Sequence, residues 1–85
     1  MQKGKVKVMK NTKELRELVE RSCRIYVSTA AWGIDINKES PVSAYGWAYN
    51  KLDGMANAYL TIYEFDLYDL VIYYRDIASR KFYGF

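Results

Sequence analysis

The chain has no histidine, one cysteine and one proline in 85 residues. Without histidine the commonest general base and the commonest nitrogen ligand are both missing, so Cys23 lacks the partner that forms and orients a catalytic thiolate. Its place within an apolar helical period reads instead as a small buried hydrophobe. A lone cysteine makes no intrachain disulfide, which points to a reducing compartment and a cytoplasmic protein. No apolar stretch approaches the roughly 20 residues of a membrane span, and the Lys-rich start lacks the apolar run of a signal peptide. The chain therefore reads as soluble and unprocessed. It also carries no phosphate-binding loop and no nucleophile motif, which leaves little ground for an enzyme.

What is present is a globular balance of 51% hydrophobic and 27% charged residues. This argues against disorder beyond the first dozen positions and fits one domain with a single modest core. The net charge of +3 is unevenly spread: residues 1–24 carry eight Lys/Arg against three Glu, whereas residues 25–85 carry five against seven acids. A basic start is thus followed by a mildly acidic body crowded with tyrosine.

The alternation Lys5-Val6-Lys7-Val8 makes residues 1–10 either a basic arm or an edge strand, since lysines also protect strand edges. Residues 11–85 form the expected helical domain. Asn11 and Glu14 have capping-box spacing, and Leu15, Leu18, Val19, Ser22, Tyr26 and Ala30 recur at helical intervals, predicting a helix over about 12–31 that Gly33 ends. Ser40-Pro41 starts a second helix running to about 58. Its seam is read as Val42, Tyr45, Tyr49, Leu52, Ala56, Tyr59 and Tyr63, while Gly46, Asn50, Gly54 and Asn57 form a small-residue face open to another backbone. Thr61 and Glu64, with Leu60 and Phe65 as a staple, restart a helix over about 62–82. Its buried side is Leu67, Leu70, Val71, Tyr74, Ile77, Ala78 and Phe82. The fold expected is mainly α, three helices with a short N-terminal strand as an option. The competing reading is a small α+β fold with strands at 5–9 and 24–28 and a hairpin over 59–75, because those runs are rich in β-branched and aromatic residues.

No cofactor or metal is expected. On a helix Asp66 and Asp69 share a face while Glu64 lies about 160° from Asp66, so the three carboxylates do not converge. Asp53-Gly54 lacks the oxygen-ligand ladder of a calcium loop. Two binding surfaces remain. Tyr68 and Tyr73 fall on or near the acidic side of the last helix, and with Tyr63, Asp66, Asp69 and Asp76 they make an acidic, aromatic face suited to a basic protein. The alternative is nucleic-acid binding through Lys3, Lys5, Lys7, Lys10, Arg16 and Arg24. Trp32, Trp47 and Phe85 have no evident buried slot, so a homodimer that covers spare apolar surface is a further expectation.

The restart Leu60-Thr61-x-x-Glu64-Phe65-Asp66-x-x-Asp69-Leu70, on a short tyrosine-rich chain, resembles small accessory proteins of phages and mobile elements of the anti-defence or host-takeover type. The resemblance covers roughly residues 41–82. It implies a stoichiometric inhibitor or adaptor that binds a host protein, and no functional residue is carried over from it.

Overall fold

The computed structural model describes residues 13–83, the last two through their backbone. Three helices follow in chain order, α1 (Lys13–Asn37), α2 (Pro41–Thr61) and α3 (Phe65–Tyr83). The three-residue connections at 38–40 and 62–64 keep successive helices next to one another. The chain is a mainly α single domain, and no strand occurs among the described residues. Residues 24–28 are helical and 59–75 are helical on both sides of the turn, so the hairpin reading fails there. Strand propensity at these sites loses to the packing of their apolar sides onto a common core. The arm or strand at residues 1–10 lies outside the described residues.

The ends of α1 and α2 and the start of α3 differ from the sequence expectation. α1 runs six residues past Ala31 and carries Gly33 as a buried interior residue. A glycine inside a helix weakens it by about 1 kcal/mol relative to alanine without breaking it. Here the bare position is filled from outside, because a Cβ on Gly33 would meet Glu39 Oε1 at 2.8 Å. The helix ends at Lys38, where φ is 59°, and the Glu39 N–H donates to the Gly33 carbonyl at 3.2 Å.

α2 starts as expected: Ser40 Oγ accepts from the Ser43 N–H at 3.1 Å, and Pro41 occupies the first helical position. Its C-terminus lies beyond residue 58 because Thr61 is not a capping residue for the next helix. The Thr61 hydroxyl donates back to the Asn57 carbonyl at 2.8 Å. The chain then leaves through a Schellman motif, in which the Glu64 N–H donates to the Tyr59 carbonyl at 2.9 Å and the Tyr63 N–H to the Leu60 carbonyl at 3.1 Å. Tyr63 is the left-handed residue of that motif, at φ 63°. Glu64 next accepts from the Tyr68 N–H at 2.9 Å, which makes Glu64 the N-cap and starts α3 at Phe65 instead of residue 62. Leu60 and Phe65, read as a staple, remain 41% and 55% exposed.

The core is narrow and rich in alanine. Val19, Cys23 and Ala30 of α1, Ala44, Tyr45, Ala48, Leu52 and Ala56 of α2, and Leu67, Val71 and Ala78 of α3 are buried. The four-residue steps from Ala44 through Ala48 and Leu52 to Ala56 place one buried row of mostly small side chains on α2, the helix that contacts both neighbours most. α2 and α3 form the most extensive pair. Tyr26, Tyr49, Tyr59, Tyr68 and Tyr74 pack against this core, and Tyr74 carries its hydroxyl out to Glu20. Of the seam read in the sequence, Tyr45, Leu52 and Ala56 are buried and Tyr49 and Tyr59 pack against the core, whereas Val42 is 59% exposed and Tyr63, beyond the end of α2, is 78% exposed. Large side chains marked the stripe, and the buried Ala44 and Ala48 beside it went unmarked.

The small-residue face of α2 also differs from expectation. Asn50, Gly54 and Asn57 are exposed, and nothing lies within 4 Å of the position a Gly54 Cβ would take. No second backbone approaches there among the described residues. Gly54→Ala should therefore gain about 1 kcal/mol from helix propensity and reduced unfolded-state freedom. A thermal melt should show Tm rising by roughly 4–8 °C, and an unchanged or lower Tm would mean that the face is occupied.

Candidate functional site

Five of the six residues expected to form the acidic, aromatic surface are exposed: Tyr63, Asp66, Asp69, Tyr73 and Asp76. At 100° per residue the four from α3 fall within a roughly 80° arc, opposite the side of the helix that carries Leu67, Val71 and Ala78. Tyr68 is not with them. It lies on the flank of α3, half-buried against the core.

Phe65 takes its place on the surface. It is one helical turn before Asp69, is 55% exposed, and meets the Tyr63 ring edge-on at 6.2 Å between centroids. Ile62, 59% exposed, completes an apolar knuckle at the turn. Sequence reasoning missed Phe65 by assigning it to a staple, although its four-residue spacing from Asp69 and eight-residue spacing from Tyr73 already placed it on the acidic face.

The backbone under this knuckle is unusual. A left-handed conformation costs a side-chain-bearing residue roughly 1–2 kcal/mol and is ordinarily taken by glycine at this position of a Schellman motif. Tyr63 holds it while burying little of its own ring. Lys38 takes the same conformation after α1, at φ 59°, so both turns end a helix through a left-handed residue that is not glycine.

Tyr73 is 62% exposed, and its ring stands perpendicular to Tyr74 at 5.1 Å. Tyr74 is anchored in turn, its hydroxyl donating to Glu20 Oε2 of α1 at 2.7 Å. That hydrogen bond, and then Arg24 at 3.3 Å, hold the Glu20 carboxyl below its ordinary range. On the other side of α3, Arg75 Nη1 donates to Asp53 Oδ1 of α2 at 2.7 Å while its guanidinium lies 5.5 Å from the Tyr49 ring centroid. Arg75 thus joins an ion pair to a cation–π contact. These two links tie α3 to α1 and to α2 beside the buried row of Leu67, Val71 and Ala78, which turns the acidic face outward.

The basic set is divided. Lys3, Lys5, Lys7 and Lys10 lie outside the described residues. Arg16 and Arg24 are exposed on α1, and Arg24 is committed to Glu20. Between α1 and α2 an open groove of about 360 Å³ is lined by Trp32, Gly33, Glu39 and Trp47 among others. Trp47 is 41% exposed and meets the Tyr26 ring edge-on at 5.7 Å. Among the described residues no cluster of His, Cys, Asp and Glu is placed to hold a metal ion, and no helix is long and apolar enough to cross a membrane.

Cys23 sits in the core with no exposed surface. Burial pushes its thiol up to about 11, with Glu20 adding to the shift, and burial also raises Tyr59. A thiol whose folded-state value is raised favours the folded state below its ordinary value near 9, and that contribution is lost as pH climbs toward 11. Stability should accordingly fall by about 2–3 kcal/mol through Cys23 between pH 9 and 11. Urea melts of the protein and of Cys23→Ala across that interval measure it as the difference in slope. Parallel slopes would show that the thiol is accessible to solvent.

No protein-family model, no curated protein and no solved structure matches this chain.

Proposed function

We propose that the protein is a non-enzymatic binding module, a cytoplasmic inhibitor or adaptor that occupies a basic surface of a host protein in a stoichiometric complex. The observation that carries this reading is Tyr63, 78% exposed and held in a left-handed turn at the head of a surface continued by Phe65, Asp66, Asp69, Tyr73 and Asp76. Aromatic side chains with few rotatable bonds lose little entropy on docking and supply most of the energy of a protein interface. Carboxylates around them steer a basic partner and fix its register. This is also the mode of action implied by the likeness to small accessory proteins of phages and mobile elements.

Capture of partners from a lysate of candidate host cells, with and without nuclease, tests the reading when run beside Asp69→Lys and Asp76→Lys. Each reversal replaces an attractive contact by a repulsive one and should weaken capture about tenfold or more. Both positions are exposed, so helicity by circular dichroism should not change. A partner retained equally by both variants would place binding on another face. Recovery of nucleic acid, or loss of all partners after nuclease, would move the function to Lys3, Lys5, Lys7, Lys10, Arg16 and Arg24.

A further inference from the structure

α1 carries a second apolar stripe that no part of the described chain covers. Leu18, Ile25, Trp32 and Ile36 are 53%, 54%, 62% and 57% exposed. With Ser22 and Thr29 between them they recur at alternating steps of four and three residues, the seam period of a two-helix coiled coil. The stripe is about 27 Å long and lies roughly 130° around α1 from the row of Val19, Cys23 and Ala30 that faces the core.

We infer that this stripe is the contact between two copies of the chain, paired antiparallel about a two-fold axis near residue 27. The argument rests on self-complementarity. In an antiparallel pair the layers join Leu18 to Ile36, Ser22 to Trp32 and Ile25 to Thr29 of the other copy. The largest side chain of the stripe therefore faces the smallest, and each remaining layer is filled. A parallel pair would stack Trp32 on Trp32 and Ser22 on Ser22, leaving one layer crowded and another empty.

Charge favours the same pairing. One flank of the stripe repeats Arg21, Ser28 and Asp35 every seven residues, while the other flank, Val19, Tyr26 and Gly33, turns toward α1's own core. Antiparallel pairing sets Arg21 opposite Asp35 of the second copy twice, with Ser28 beside its own counterpart at the axis. All three are exposed, and neither Arg21 nor the Asp35 carboxylate makes an ion pair within the described chain. A two-fold contact of this kind leaves the outer face of α3 on each copy and makes the assembly bivalent, which raises avidity for a partner that repeats.

Sedimentation velocity of the full chain over a range of concentrations, with charge-exchange variants, tests this. The wild type should move from 10.0 kDa to twice that mass as concentration rises. Ile25→Lys removes two buried isoleucines per dimer and should weaken association by roughly 100-fold or more without loss of helicity. Arg21→Asp and Asp35→Arg should each weaken the dimer by setting like charges opposite one another, and the double variant should restore it. Restoration is specific to the antiparallel register. A wild type that stays at 10.0 kDa, a dimer indifferent to Ile25→Lys, or a double variant no better than the singles would each overturn the inference. Dimerisation only after removal of residues 1–10 would overturn it too, because that segment would then be what covers the stripe.

Discussion

Leu52→Ala should cost about 2–5 kcal/mol, the range for truncating a buried leucine to leave a cavity. Leu52 is completely buried and is the largest wholly enclosed side chain that α2 contributes. Its neighbours along the row are Ala48 and Ala56, which have no rotamers with which to fill the space, so relaxation around the hole is limited. An 85-residue domain has roughly 4–13 kcal/mol of total stability, and the loss is a large share of it. Urea melts should show the midpoint falling with the slope unchanged. Leu60→Ala is the companion measurement: Leu60 is 41% exposed, and a surface truncation should stay within about 0.5 kcal/mol. If the two variants were equally stable, α2 would present a different face to its neighbours.

Tyr63→Gly should move stability and binding in opposite directions. Glycine takes a φ of 63° without a Cβ penalty, and the Schellman hydrogen bonds from Glu64 and Tyr63 are made by backbone and survive the change. The folded state should gain about 1 kcal/mol. The same substitution removes the most exposed aromatic ring of the proposed docking face and the edge contact that Phe65 makes with it. Loss of an interface anchor costs about 2 kcal/mol or more, close to a 30-fold weaker complex. A thermal melt and a titration against the captured partner measure the two effects on one variant. A gain in stability with no loss of affinity would show that the ring is not used. A loss in both would show that Tyr63 is a structural residue.

The polar links of α3 give the molecule an acid limit as well. Glu20 is held below its ordinary range, first by the Tyr74 hydroxyl and then by Arg24. A lowered carboxyl stabilises the fold above its unfolded value and ceases to do so as pH falls through its folded value. The connection between α1 and α3 should therefore loosen under acid, through a group distinct from the core thiol that contributes at alkaline pH.

Helix number, the start of α2 at Ser40-Pro41 and the buried side of α3 were legible in the chain because each depends on neighbours within a few residues. Apolar period, a capping hydroxyl and a proline at the first turn act locally, and Leu67, Val71 and Ala78 are buried as their spacing predicts. The acidic side of α3 was legible for the same reason, since helical spacing alone puts Asp66, Asp69, Tyr73 and Asp76 together. Two helix boundaries were not legible in this way. Gly33 stays inside α1, which ends only at Lys38 with the Glu39 N–H on the Gly33 carbonyl. Thr61 closes α2 where a capping box had been read, because the choice between ending one helix and starting the next is settled by which carbonyls the turn satisfies.

On α2 the buried Ala44 and Ala48 were missed beside Tyr45, Leu52 and Ala56, because alanine carries little weight in a hydrophobic pattern. Nor could the outer stripe of α1 be told from its core stripe in the sequence. Leu18 and Val19 are adjacent and similarly apolar, and one is exposed while the other is buried. Local sequence determines that these residues form a helix; only packing against α2 and α3 decides which of its faces is covered, because burial depends on a partner surface that the sequence of α1 does not contain.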